Sequence, residues 1–275
     1  VQRPAATARL QAQYGRTRAL AARCLGTAIA DRMVFRLGLV LFALDFGFLG
    51  IALLNKAATR LPSLAFFADG LGLRDPFLQI ELDRSLPEIY GYAKTATAAA
   101  LLLLLGRRHA QPIYAALAFV FLLILADGAL RIHETVGDHV ARSVPWEAAF
   151  RLRSDDFGEA SVFAAWVIIL IAAAAYGMWR SGRAHRDAGI LFLAVIGILA
   201  FFGVFVDLAG IVAGISGWRA AGALLGLLDD AGELAALSLA LLLAWTLWRH
   251  PALCGRPAPA AGASHPGRAP TADRP

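Results

Sequence analysis

Asp127, His133 and Glu134 carry the side chains of acid–base and metal chemistry, and they fall in ADGALRIHETVGDH, directly after the uncharged run IYAALAFVFLLIL. A second group, Asp229, Asp230 and Glu233, stands in LLDDAGELAAL, again beside long apolar runs. One imidazole with several carboxylates is a donor set suited to Zn, Mn or Fe, combining hard oxygens with a borderline nitrogen. A divalent ion held by these six residues would activate water, with Glu134 or Glu233 as the general base of a membrane hydrolase. The chain has no Glu-x-x-His spacing of the di-metal helical bundles, no nucleophile elbow and no Gly-rich phosphate loop. The donor types therefore suggest a site and leave the reaction open.

Helical spacing decides which of these residues can meet. Asp127, Glu134 and Asp138 lie 7 and 11 positions apart and share one face, with Arg131 on it too. His133 points about 120° away on an unbroken helix, and joins the others only if the helix unwinds near Gly137 or another helix packs on that side. Asp229 and Asp230 precede Glu233 by four and three residues, so either aligns with it. Glu159, Asp45 and Asp207 are second choices for the same site.

The elements that position these residues belong in lipid. Of 275 residues, 59% are hydrophobic and 17% charged, and the mean hydropathy is +0.61, too apolar for a water-facing surface of this length. Apolar runs cover 33–54, 88–105, 113–130, 160–179, 188–206 and 224–248, each near the roughly 20 residues that span a bilayer. They are continuous and rich in Ala and Leu rather than alternating, which excludes a membrane barrel. The expected fold is all-α, an integral membrane bundle of six transmembrane helices.

Charge sets its expected orientation. With the N-terminus inside, the inner segments hold 16 of the 26 Lys and Arg, and 17 of the 20 carboxylates lie in the outer half or outer loops. The positive-inside rule then predicts a multi-pass inner-membrane protein with both termini cytoplasmic, and makes nucleic acid an unneeded partner for the net charge of +6. Lipids are the expected partners. Residues 1–32 read as a basic cytoplasmic segment with six Arg and no cleavable signal, 33–248 as the transmembrane domain, and 249–275 as a disordered, Pro- and Ala-rich tail. Cys24 and Cys254 fall in the cytoplasmic segments and are expected reduced. Residues 55–88 read as an outer loop partly on the membrane surface, with Ser85-Leu-Pro-Glu88 as a capping box for the second span.

The two acidic motifs resemble those of uncharacterised bacterial multispanning membrane proteins, which carry an Asp six residues before a His-Glu pair and a later acidic pair followed three residues on by Glu. Here those positions are Asp127, His133, Glu134, Asp229, Asp230 and Glu233. The resemblance covers the motifs and the order of helices, and implies no particular activity.

Two other readings compete with a metal centre. Asp45 and Lys94 fall at similar depths, about 18 and 16 Å from the inner side, and could pair within the membrane as part of a proton or ion path. Alternatively, Arg131, Arg142, Arg151, Arg153 and Arg219 neutralise the outer acids, Glu147, Asp155 and Asp156 among them, in interfacial salt bridges. Four histidines, His109, His185, His250 and His265, lie on the inner side, separated by loops, and are not expected to cluster.

Overall fold

The computed structural model describes residues 3–82, 84–144 and 154–254. The expectations for Glu147, Arg151, Arg153, the side chains of Asp155 and Asp156, and the tail beyond Cys254 lie outside the described residues.

All regular structure among the described residues is helical. The chain begins with α1 (Arg3–Ala30), where the sequence suggested only a basic segment. Asp31 separates it from α2 (Arg32–Ala58) and caps α2, its Oδ1 accepting from the Met33 and Val34 amides at 2.8 and 3.3 Å. Arg249 and His250 hold the other oxygen, Oδ2, at 2.9 and 2.8 Å. The Arg249 hydrogen bond, with that of His250, holds the Asp31 carboxyl well below the usual carboxylate range. The connection to the next span contains α3 (Pro62–Gly70) and a 3₁₀ turn, Pro76–Leu78, tied back to α2 by Asn55 Nδ2 donating to the Leu73 carbonyl at 3.0 Å.

Next come α4 (Leu86–His109) and α5 (Pro112–Leu130), each opened by a proline where no amide donor is needed. Ser85 precedes α4 without the expected side-chain capping bond, and the Glu88 carboxylate accepts from the Arg84 amide and the Tyr92 hydroxyl. α6 (Ile132–Ser143) follows, then α7 (Ser154–Arg180). The fifth apolar run is one long span, Arg183–Ile215, made of α8 (Arg183–Ala200), a π-helical stretch Phe201–Val206 and α9 (Asp207–Ile215). α10 (Arg219–Arg249) and a 3₁₀ turn, Pro251–Cys254, complete the described chain.

Six of these helices are long and apolar enough to cross a membrane: α2, α4, α5, α7, the α8–α9 span and α10. α10 is the hub, packing on α1, α2, α4, α8 and α9, while α5 packs on α4 and α7, and α6 on α7. The core lies toward the basic end of the bundle, where Leu102, Leu105, Ile113, Tyr114, Leu117, Ala240, Ala244 and Leu247 are fully buried. A second buried cluster joins Phe48, Ala52, Ile80, Leu227 and Leu234, while Phe35, Leu39, Phe119, Ile168 and Ile171 are exposed apolar side chains that a bilayer would cover.

Candidate functional site

The first motif is rearranged by a single residue. Arg131 sits at φ 52° and ψ 46°, left-handed, and ends α5, so α6 sets off in a new direction. This break, rather than one at Gly137, turns His133 back onto Asp127. Asp127 Oδ1 accepts the His133 amide at 2.9 Å, capping α6, while Oδ2 stands 2.9 Å from His133 Nδ1. The Asp127 carboxylate holds the His133 imidazolium, pushing its titration above the usual histidine value, with Glu134 and Glu159 adding attraction. Phe163 of α7 covers the ring at 4.9 Å between centroids.

Glu134 does not complete a metal set. Arg131 Nε donates to Glu134 Oε1 at 2.8 Å, and a second guanidinium nitrogen binds Oε2. His133 Nε2 stays 3.9 Å from Glu134 Oε1. Asp138 and His139 are exposed on α6. Gly137 serves packing instead: Gly158 of α7 presses so closely on it that a methyl group at either position would strike the other helix, so α6 and α7 cross backbone to backbone.

The second motif lies elsewhere. α10 packs against neither α6 nor α7 as a principal partner, and α6 packs on α7 and its predecessor α5. The expected convergence of Asp127, His133 and Glu134 with Asp229, Asp230 and Glu233 is therefore corrected to two separate groups. Among the described residues no cluster of three or more His, Cys, Asp or Glu side chains is arranged to hold a metal ion. With the donors divided and Arg131 already on Glu134, these residues do not fit the divalent centre that their types suggested.

The α10 acids meet the π-helical stretch. Gly203 packs against the Glu233 side chain, and a methyl group there would collide with Oε1; the Phe202 ring fills the space beside Gly232 in the same way. Asp207, at the start of α9, acts electrostatically on Asp229, Asp230 and Glu233, and Lys56 and Glu81, paired at 2.5 Å, lie within electrostatic reach of Asp230. Asp229 Oδ1 is buried without a hydrogen-bond partner. π turns inside spans often mark functional sites because they widen the helix and redirect side chains.

One turn further along α10 is the most enclosed charge pair among the described residues. Lys94 of α4 is 2% exposed and Asp45 of α2 is 5% exposed. Lys94 Nζ donates to Asp45 Oδ1 at 2.8 Å, to the Leu234 carbonyl at 2.7 Å and to Ser238 Oγ at 3.2 Å, which uses all three of its protons. Ser238 Oγ donates to Asp45 Oδ2 at 2.6 Å, and the Tyr90 ring lies 4.2 Å from the ammonium. The sequence-based depth estimate paired Asp45 with Lys94; Ser238 and Tyr90, ordinary helix residues in sequence, gave no signal of their own.

At the basic end the histidine expectation is also corrected. The turns after α4 and α7 are joined by the Gly182 amide donating to Gln111 Oε1 at 2.8 Å, and this brings His109 and His185 to 5.0 Å between ring centroids. Tyr114 Oη stands 3.0 Å from His185 Nδ1, while both ring nitrogens of His109 are buried without partners. Cys24 and Cys254 are buried and reduced nearby; burial pushes the Cys24 thiol up to about 11, so it is no nucleophile at neutral pH.

No family model, curated protein or solved structure matches the chain.

Proposed function

We propose that the protein is a proton- or cation-coupled membrane carrier whose ion path runs along α10, from the acids Asp207, Asp229, Asp230 and Glu233 to the Asp45–Lys94–Ser238 centre. The observation that carries this reading is the enclosed Lys94–Asp45 pair, bonded to the carbonyl of Leu234, the residue that follows Glu233. An intramembrane charge pair is expensive to build, and the usual return on that expense is an ion or proton pathway. A cation or proton arriving on Asp45 competes with the Lys94 ammonium for the same carboxylate. Its arrival loosens the tie joining α2, α4 and α10, so occupancy of the centre biases how those helices pack. With both termini cytoplasmic, as the basic segments favour, the acids open toward the outer face of a bacterial inner membrane.

A dye-reported proton flux in proteoliposomes under an imposed pH gradient tests the path. The wild type should carry flux above protein-free vesicles, and Glu233→Gln should lower it by at least about tenfold, as loss of one essential proton carrier does. Unchanged flux in Glu233→Gln would exclude the α10 acids from the path.

A second reading rests on Asp127 and His133. A carboxylate on Nδ1 fixes the imidazole and leaves Nε2 as the basic nitrogen, which is the orientation of a general base in hydrolysis. Ser, Thr and Cys nucleophiles do not stand in ADGALRIHE itself, so this pair alone defines no reaction.

A further inference from the structure

Between α1 and the first turn of α8, at the basic end, lies a cleft of about 570 Å³ lined by Arg9, Ala12, Gln13, Arg16, Arg183, Arg186 and Asp187. Four guanidinium groups face one carboxylate. Asp187 accepts from Arg16 Nε at 3.3 Å and from Thr17 Oγ1 at 3.5 Å, which fixes α1 against α8 and leaves the rest of the positive charge unbalanced. Arg186 is braced from behind, donating through Nε to the Ser181 carbonyl at 2.7 Å and through Nη2 to the Trp179 carbonyl at 3.0 Å. Arg9 and Arg183, on opposite walls, make no hydrogen bond or ion pair with the described residues. Ser181 and Gly182 precede α8, so its first-turn amides add a partial positive charge on the same side.

The cleft sits where lipid headgroups would lie. Trp179, 72% exposed, stands at the end of the preceding span, the level at which indoles anchor in the interface. On α1, Leu10, Tyr14, Leu25 and Ile29 are all exposed, each at least 61%, along the flank next to the side that packs on the bundle. A basic helix with an uncovered apolar flank is suited to lie in the headgroup layer.

We propose that this cleft binds a phosphate-bearing anion, seated between Arg9 and Arg16 of α1 and Arg183 and Arg186 of α8. Guanidinium groups match phosphate oxygens in pairs, and a basic pocket between helices at the membrane surface is suited to the phosphate of an anionic lipid headgroup. Binding draws α1 onto α8, so the ligand fastens the N-terminal helix to the bundle.

The test is a thermal melt of the full chain, stripped of lipid in neutral detergent, titrated with phosphatidylglycerol, with phosphatidylcholine or with inorganic phosphate. Arg9→Gln with Arg183→Gln removes two cleft charges that hold no structural bond; Arg32→Gln with Arg36→Gln removes two charges from exposed positions on α2 at the same end. Phosphatidylglycerol should raise the wild-type melting temperature more than phosphatidylcholine does. The cleft variant should need at least about tenfold more of it for the same shift, given the attraction of each basic residue to an anionic surface, while the α2 variant follows the wild type. Inorganic phosphate that reproduces the shift, and loses it in the cleft variant, supports the site with a free anion as its ligand. Equal responses to the two lipids without a phosphate response, or equal losses in the two variants, would overturn the proposal.

Discussion

Arg131 decides the geometry of the first motif through its own backbone. A non-glycine residue in the left-handed region costs about 1 kcal/mol, and here it is held there by its bonds to Glu134 and by Asp127 capping the next helix. Nothing in the sequence marks Arg131 for that conformation, since neither Gly nor Asn stands at the position, so an unbroken helix was the natural expectation and His133 pointed away from Asp127. The types of the residues were legible; their meeting was not. The pair has a pH signature. The His133 titration is raised in the folded protein, so its contribution to stability is complete below about 6.5 and is lost as pH rises through the folded value. The melting temperature of the wild type should exceed that of His133→Gln most below pH 6.5, and the gap should narrow steadily toward pH 9. A hydrogen bond to a charged partner makes the low-pH difference about 1.5–3 kcal/mol. A gap that widens with pH would contradict the pairing.

Among the elements, the six spans were legible because each is a continuous apolar run of membrane length, a signal that needs no knowledge of neighbours. α1 was not. Its Arg residues hide a helix whose buried side, among the described side chains, is Thr17, Leu20 and Cys24, and whose partner, α8, is more than a hundred residues away in sequence. The π-helical stretch Phe201–Val206 was equally invisible, because FFGVFV reads as ordinary apolar helix until α10 is packed against it. There Phe202 rests on Gly232 and Glu233 on Gly203. A Gly232→Leu change would force the Phe202 ring out of contact and overpack the crossing, at a cost of about 1–3 kcal/mol. A Phe202→Ala change in the same chain should recover part of the lost melting temperature by making room. If Gly232→Leu melts like the wild type, the π turn and α10 are not in close contact at this point.

At the scale of the molecule, the two expected halves of one site belong to different parts of the bundle, with α6 on α7 and the α10 acids on the α8–α9 span. Sequence spacing fixed which residues share a face, but the order of helices around the bundle depends on all the pairings together. What unites the molecule is α10, and at its middle the Asp45–Lys94–Ser238 centre. That centre is either a pin that holds three helices or the ion-binding element of a carrier, and the two roles separate under one substitution. Replacing both charges by apolar side chains of similar size, Asp45→Leu with Lys94→Met, removes a buried ion pair whole, which is often neutral for stability or gains about 1–4 kcal/mol. The decisive measurement is proton flux through this double variant in proteoliposomes, taken beside its melting curve. A carrier predicts a bundle that melts at or above the wild-type temperature and carries no flux above protein-free vesicles; wild-type flux from the apolar double variant would contradict the proposed function.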